Sequence, residues 1–256
     1  IPVLGQYLAR GEEEEAWKVT SLILNWTVLF LILLIILGMV KTRVLITLLV
    51  PKLPPETIEL AASLTRVMLI QTFFMALSGI SLGVLNARKH FILPALGGIV
   101  YNLWIILVGV MLARQWGIMA FSVGVVVGSA LNFAIQIPAL ARAGIRYYPI
   151  LNPKHPGLKQ MLILMVPVVI GLSVTQINLF VNQNLASGLP EGSISALRLA
   201  QRIMQLPVGI FGMSVAMAVF PTMTEQVARN NITEFKRLFS LGLRGVFIIP
   251  FRPPWA

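Results

Sequence analysis

Arg198 and Arg202 are the residues whose type and spacing could bind an anion. They precede an apolar stretch that continues without charge to Thr224. Residues four apart lie on one face of a helix, so the two guanidinium groups would point the same way. A guanidinium group near hydrocarbon costs several kcal/mol unless it meets water or a partner. Since guanidinium groups bind phosphate with two parallel hydrogen bonds, the pair predicts a cavity that holds an anionic group such as phosphate.

The competing interpretation is that the arginines extend to lipid headgroups at the membrane surface. Arg198 follows closely on the loop at residues 187–192, which favours headgroup contact for this residue. Arg202 lies one turn deeper and has Gln201 and Gln205 as polar neighbours. We therefore predict substrate binding first for Arg202, with Arg198 and Gln205 as further candidates.

Polar side chains are also dense in the apolar stretch that precedes the arginines. They are Ser173, Thr175, Gln176, Asn178, Asn182, Gln183 and Asn184. Thr175, Asn178 and Asn182 have helical spacing and share a face. Such a face either lines a hydrated cavity or hydrogen-bonds to another helix, which contributes only about 0.6 kcal/mol per contact. The density of amides favours a cavity, lined by Gln176, Asn178 and Asn182.

Membrane helices must carry these side chains. The chain is 57% hydrophobic and 11% charged, whereas soluble domains have about 25% charged residues. The predicted fold class is an all-α membrane protein, a polytopic transmembrane helix bundle. Six charge-free stretches reach the roughly 20 residues that a bilayer span needs: Val19–Val40, Val67–Ala87, Phe91–Ala113, Gln115–Ala141, Gln160–Pro190 and Ile203–Thr224. A seventh begins at Val246.

The net charge of +11 is distributed over short loops between the apolar stretches. One set of loops carries Arg10, Lys18, Arg88, Lys89, Arg142, Arg146, Lys154, Lys159, Arg229, Lys236, Arg237 and Arg244. The alternate loops and helix ends carry fewer basic residues. The positive-inside rule places the first set in the cytoplasm. This pattern is typical of membrane topology, and we expect no nucleic-acid partner.

Several kinds of chemistry have no support in the sequence. There is no cysteine, which removes disulfides and thiolate zinc sites. We find no nucleophile elbow, phosphate-binding glycine loop or paired carboxylate, and His90 and His155 are isolated. We therefore predict that the chain is not an enzyme and that it holds neither a metal nor a cofactor.

Two further patterns have structural interpretations. Gly79-x-x-x-Gly83 and Gly124-x-x-x-Gly128 predict close helix packing. Asn25-Trp26-Thr27 and Asn231-Ile232-Thr233 match the glycosylation pattern, but the first lies within a span and the second on the predicted cytoplasmic side. We interpret both as coincidental.

Four motifs occur in a recognisable order along the chain. They are Ile1-Pro2-Val3-Leu4-x-x-Tyr7, Gly83-Val84-Leu85-Asn86-Ala87-x-x-x-Phe91-x-x-Pro94-Ala95, Gly171-Leu172-Ser173-Val174-Thr175-Gln176-Ile177-Asn178, and Arg202-Ile203-Met204-Gln205-Leu206-Pro207-Val208-Gly209-Ile210-Phe211-Gly212 followed by Phe220-Pro221-Thr222. In this order and spacing the chain resembles the MurJ/MviN family, the lipid II flippases of the MOP (multidrug/oligosaccharidyl-lipid/polysaccharide) exporter superfamily.

The resemblance implies a fourteen-helix, two-lobed fold around a cationic cavity, of which this chain is a fragment with about six complete helices and partial ends. The helix-eight arginine of the family falls on Arg202, which is expected to bind pyrophosphate with help from Arg198. Pro207 and Pro221 are expected to act as hinges.

The expected organisation has five parts. Residues 1–18 hold the end of a preceding helix and a cytoplasmic loop, and residues 19–141 hold four transmembrane helices that complete the first lobe. Residues 142–159 form a basic cytoplasmic loop. Residues 160–250 hold two transmembrane helices and the start of a third, which begin the second lobe. Residues 251–256 are interpreted as a truncated or non-native end.

The implied function is a multi-pass flippase of the bacterial cytoplasmic (inner) membrane. It would move lipid-linked peptidoglycan precursor (lipid II) across the membrane by alternating access, for cell-wall synthesis. Its implied partners are the undecaprenyl-pyrophosphate-linked precursor, membrane lipids and cell-wall synthesis proteins. The alternatives are another MOP-superfamily exporter of lipid-linked polysaccharide and an inactive membrane scaffold. A drug exporter is disfavoured because its cavity would be acidic.

Overall fold

The described residues of the computed structural model form helices joined by short loops. They are residues 10–88, 92–207 and 232–248, with the single positions 4, 7, 209, 212, 219 and 223. The helices are α1 (Glu13–Leu49), α2 (Pro55–Ala87), α3 (Ile92–Trp116), α4 (Met119–Arg142), α5 (Pro156–Ala186), α6 (Ser193–Pro207) and α7 (Ile232–Ile248). No strand occurs among these residues. The predicted all-α membrane fold is confirmed.

Five of these helices, α1 to α5, are long and apolar enough to cross a membrane. They correspond to the first five predicted spans. Helices α1 and α2 extend well beyond their spans, whereas α4 begins four residues later than predicted and α5 ends four residues earlier. Helix α1 has 37 residues, about 55 Å at 1.5 Å per residue, against a hydrocarbon core of about 30 Å. The helix therefore continues past both Lys18 and Lys41, the charged residues that bound the predicted span.

The sixth predicted span is only partly described. Ile203–Pro207 belong to α6, and the rest of the span, to Thr224, lies outside the described residues. The seventh predicted span, from Val246, overlaps the last residues of α7, a helix that already begins at Ile232.

The chain divides into two compact units, residues 1–188 and residues 189–256. Helices α1 to α5 belong to the first unit, and α6 and α7 belong to the second. The division into lobes at residues 142–159 stays a prediction.

Close backbone approach joins α3 to α4 within the first unit. A Cβ atom at Gly128 would lie 2.6 Å from the carbonyl oxygen of Tyr101, and one at Gly124 would lie 3.0 Å from that of Ile105. The packing predicted for this glycine pair is confirmed. In contrast, a Cβ atom at Gly79 would meet no atom of the described residues within 4 Å.

The start of α1 packs against the end of α2. The Trp17 side chain is buried, and the Arg88 guanidinium lies 5.2 Å from the centroid of its ring. Arg88 Nη2 also lies 2.7 Å from Glu13 Oε1. These two ends were predicted to lie on the same side of the membrane, and the contacts bring them together.

Candidate functional site

Helix α6 carries the predicted arginine pair. The residue before it, Gly192, has a φ of 88°, a left-handed conformation that glycine adopts without steric cost. The amide of Ala196 then donates to the Gly192 carbonyl oxygen at 2.9 Å and opens the first turn. The sequence from Ala196 to Gln205 is rich in Ala, Leu, Arg, Gln and Met, which are good helix formers. The described part of α6 runs to Pro207.

One face of α6 presents Arg198, Arg202 and Gln205 together. Arg202 follows Arg198 by four residues and Gln205 follows Arg202 by three, which places all three on a single helix face. All three side chains are exposed. Within the described residues neither guanidinium group has an ion-pair or hydrogen-bond partner. From Arg198 to Gln205 the face is about 10 Å long at 1.5 Å per residue. It can offer two positive charges and a carboxamide to one elongated anion.

The amides of α5 form a second polar surface, which belongs to the first unit. Asn182 Nδ2 donates a hydrogen bond of 2.7 Å to Asn178 Oδ1. Asn178 and Asn182 therefore share a helix face, as predicted, and are hydrogen-bonded to each other. Gln176 is exposed too, but a separation of two residues puts it about 200° around the helix from Asn178. The predicted lining residues thus lie on two sides of α5.

Of the two predicted hinges, Pro207 is exposed and is the last residue of the described part of α6. Pro221 lies outside the described residues.

Two asparagines have partners that the sequence analysis missed. Asn184 Nδ2 donates to the carbonyl oxygen of Leu48 at 2.9 Å, and Asn25 Nδ2 donates to that of Ile150 at 2.9 Å. Asn25 was interpreted only as a chance glycosylation pattern. The sequence signal for such a hydrogen bond is an amide in an otherwise apolar span, where an unpaired polar group is costly.

Comparison with known proteins identifies one family for nearly the whole chain. The family described as lipid II flippase MurJ matches residues 1–251. A lipid II flippase MurJ from Burkholderia cenocepacia is 31% identical over 200 residues, which are 76% of this chain and 39% of that protein. A probable lipid II flippase MurJ from Buchnera aphidicola is 30% identical over 253 residues, which are 97% of this chain and 50% of that protein.

The fold also matches a solved structure of a lipid II flippase MurJ in an inward closed conformation. The TM-score is 0.77 at 28% identity, and the match covers 96% of this chain and 52% of that one. This chain spans about half the length of the relatives it matches. The order of the motifs, the helical fold and the match over residues 1–251 agree, and the chain belongs to the lipid II flippase MurJ family.

Proposed function

We propose that the protein that carries this sequence moves lipid II across the bacterial cytoplasmic membrane by alternating access. The observation that carries the proposal is the exposed face of Arg198, Arg202 and Gln205 on α6, in a chain of this family. A cationic face on a membrane protein needs an anionic partner or water. The diphosphate that links the lipid to the sugar is an anion of the kind that guanidinium groups bind.

Each residue of this face has a proposed role. Arg202 binds the pyrophosphate through two parallel hydrogen bonds, which the planar guanidinium group makes more readily than an ammonium group. Arg198 adds positive charge one turn away, and Gln205 donates from its carboxamide. Substrate movement breaks no covalent bond, so the proposal needs no nucleophile or catalytic acid.

The amides of α5 are proposed to contact the polar headgroup of the substrate. Asn178 and Asn182 have hydrogen-bonding capacity beyond the one bond that joins them. Gln176 is proposed to line the cavity from the other side of α5. Pro207 and Pro221 are proposed as hinges, because proline removes a helix hydrogen bond.

Complementation tests the proposal. A bacterium depleted of its own flippase receives the full-length gene that encodes this sequence, with wild-type, Arg202→Ala, Arg202→Lys or Arg198→Ala codons. We expect growth with the wild type, none with Arg202→Ala, and slower growth with Arg202→Lys. Arg198→Ala is the comparison on the same helix and, because its proposed contribution is smaller, is expected to support growth close to the wild-type rate. Membrane levels of each variant are measured by immunoblot.

Growth of Arg202→Ala at the wild-type rate would overturn the substrate role of this arginine. Failure of the wild type to support growth, at normal membrane levels, would favour an inactive scaffold. A polysaccharide exporter of the same superfamily is separated by reconstitution, because it would move a lipid-linked polysaccharide and leave lipid II in place. Cell-wall synthesis proteins are the proposed protein partners, and crosslinking in growing cells followed by mass spectrometry would identify them.

A further inference from the structure

Residues 145–151, between α4 and α5, have no regular secondary structure, and we call them the tethered segment. The side chains of Ile145 and Tyr148 pack against a buried cluster that includes Trp17 of α1. Tyr147 and Leu151 are instead 60% and 53% exposed. The segment therefore has one side that packs on the protein and one exposed side with large, mainly apolar side chains.

Two polar side chains of α1 bind the backbone of the tethered segment. Asn25 Nδ2 donates to the carbonyl oxygens of Tyr148 at 3.3 Å and Ile150 at 2.9 Å. Ser21 Oγ accepts a hydrogen bond of 3.0 Å from the Tyr148 amide. Tyr147 Oη donates to Asn25 Oδ1 at 2.8 Å, so this exposed side chain also directs its polar atom toward α1. Helix α1 thus supplies hydrogen bonds that water supplies to an ordinary surface loop.

Asn25 lies inside the apolar stretch of α1. That stretch, residues 19–40, is about 33 Å long at 1.5 Å per residue, close to the hydrocarbon thickness of about 30 Å. Asn25 follows Lys18 by seven residues, or about 10 Å. We therefore expect Asn25, and the backbone that it binds, at or below the level of the headgroups. Unpaired backbone groups are costly at that depth, which explains why α1 spends polar side chains on this segment.

Basic side chains lie in and beside the tethered segment. Arg142, Arg146 and Lys154 are exposed, and none of them has an ion-pair partner among the described residues. Glu15 of α1 lies near the same loop, but it pairs with Lys18. The three cations suit the phosphate groups of anionic lipids, which attract basic segments next to a membrane helix.

We propose that the tethered segment is a membrane anchor in the cytoplasmic leaflet, at the boundary between headgroups and acyl chains. Tyr147 and Leu151 contact acyl chains there, while Arg142, Arg146 and Lys154 bind the phosphates of anionic phospholipids. Tyrosine suits this level because its ring is apolar and its hydroxyl group is polar. The inference concerns the lipid surface alone and holds whichever substrate the protein moves.

The collision rates of a spin label test the depth of the segment. This sequence contains no cysteine, so a nitroxide is attached to Leu151→Cys in the full-length protein, with any cysteine outside this sequence replaced by serine. The liposomes contain phosphatidylcholine and phosphatidylglycerol. Glu12→Cys, exposed just before α1, is the aqueous control, and Ile106→Cys, exposed on α3, is the lipid control. Oxygen concentrates among acyl chains, whereas nickel(II) ethylenediaminediacetate stays in water.

We expect the Leu151 label to collide more often with oxygen than with the nickel complex, as the Ile106 label does. The Glu12 label should show the reverse. A preference for the nickel complex at Leu151 would overturn the anchor. Low collision rates with both reagents would also overturn it, because they would mean that another part of the protein covers the segment.

An Asn25→Leu variant tests what holds the segment in place. It should raise the collision rate of the nickel complex with the Leu151 label by at least about twofold, because the segment loses hydrogen bonds to its carbonyl oxygens. Thr27→Val, two residues further along α1, is the control and should leave the rate unchanged. An unchanged rate in Asn25→Leu would contradict tethering by this amide.

Fluorescence quenching tests the preference for anionic lipid. A bimane group on Leu151→Cys is quenched by phospholipids with brominated acyl chains that carry either a phosphatidylglycerol or a phosphatidylcholine headgroup. We expect brominated phosphatidylglycerol to quench more strongly. Arg146→Gln should lower this preference about fivefold at low salt, the effect of one basic residue near an anionic surface. Arg114→Gln, in the last turn of α3, should not change it, and equal quenching by the two lipids would exclude anionic headgroup binding.

Discussion

Asn182 donates a 2.7 Å hydrogen bond from Nδ2 to Oδ1 of Asn178, one turn earlier on α5. The bond fixes the orientation of both carboxamides. It leaves the Asn178 amide hydrogens and the Asn182 carbonyl oxygen available to a third group. A polar pair of this kind presents donors and an acceptor in a set arrangement.

If this pair contacts the substrate, the two residues should act as a unit. Asn178→Leu and Asn182→Leu are each expected to slow lipid II movement by about fivefold, near the ~1 kcal/mol of one hydrogen bond. The double variant should be little slower than either single one, because residues in contact are not additive. Flipping rates in proteoliposomes provide the measurement. Gln176→Leu, on the other side of α5, is the comparison, and an additive double variant would count against a coupled pair.

The arginine face should bind diphosphate unequally along its length. We expect Arg202→Ala to weaken binding of undecaprenyl pyrophosphate by about 10- to 100-fold, since hydrogen bonds to charged groups contribute about 1.5–3 kcal/mol. Arg202→Lys should lie between wild type and alanine, because lysine keeps the charge without the planar pair of donors. Arg198→Ala should weaken binding less than threefold, which corresponds to a loss of less than about 0.6 kcal/mol. Equilibrium binding in detergent measures these constants, and equal losses at both arginines would refute the ranking.

Two glycines with the same sequence pattern should respond differently to alanine. Gly128→Ala is expected to destabilise the protein by about 1–3 kcal/mol, because the added methyl group forces α3 and α4 apart. Gly79→Ala should be neutral or slightly stabilising, since its Cβ atom meets open space among the described residues and alanine is the better helix former. Unfolding in mixed micelles by SDS titration gives both values. Similar losses for the two variants would mean that Gly79 is packed as closely as Gly128.

The contact between Arg88 and Trp17 should stabilise the ends of α1 and α2. Arg88→Ala removes the interaction with the Trp17 ring and the ion pair with Glu13, and we expect a loss of about 1 kcal/mol. Arg88→Gln should lose nearly as much, whereas Glu13→Gln should lose less because exposed ion pairs contribute little. Thermal unfolding in detergent at low and high salt separates the two effects. Only the ion-pair part should weaken with salt, so complete loss of the Arg88 effect in high salt would exclude the ring contact.

Local sequence patterns predicted most of the membrane fold. Charge-free stretches identified the first five helices that can cross a membrane, because burial in hydrocarbon depends on the composition of each segment alone. Helix ends were less predictable. A charge stops a helix from entering hydrocarbon but does not stop the helix, so α1 continues beyond both Lys18 and Lys41.

Helical periodicity also predicted part of the candidate site. The shared faces of Arg198 with Arg202, and of Asn178 with Asn182, follow from a spacing of four residues within one helix. The same rule separates Gln176 from Asn178, which the sequence analysis had grouped by residue type. Whether these faces meet the substrate stays a proposal.

Contacts between distant segments were decided by the tertiary structure alone. Asn25 binds the carbonyl oxygen of Ile150, 125 residues later, and Asn184 binds that of Leu48, 136 residues earlier. No local pattern names the partner of an amide, because the partner is a backbone carbonyl that every residue has. The two glycine pairs make the same point, since an identical spacing packs closely at Gly128, whereas a Cβ atom at Gly79 meets no atom of the described residues within 4 Å. The sequence by itself determined which segments become membrane helices and which residues share a helix face, since both depend on near neighbours along the chain. The packing of the helices decided which of those faces are covered and which polar groups are paired.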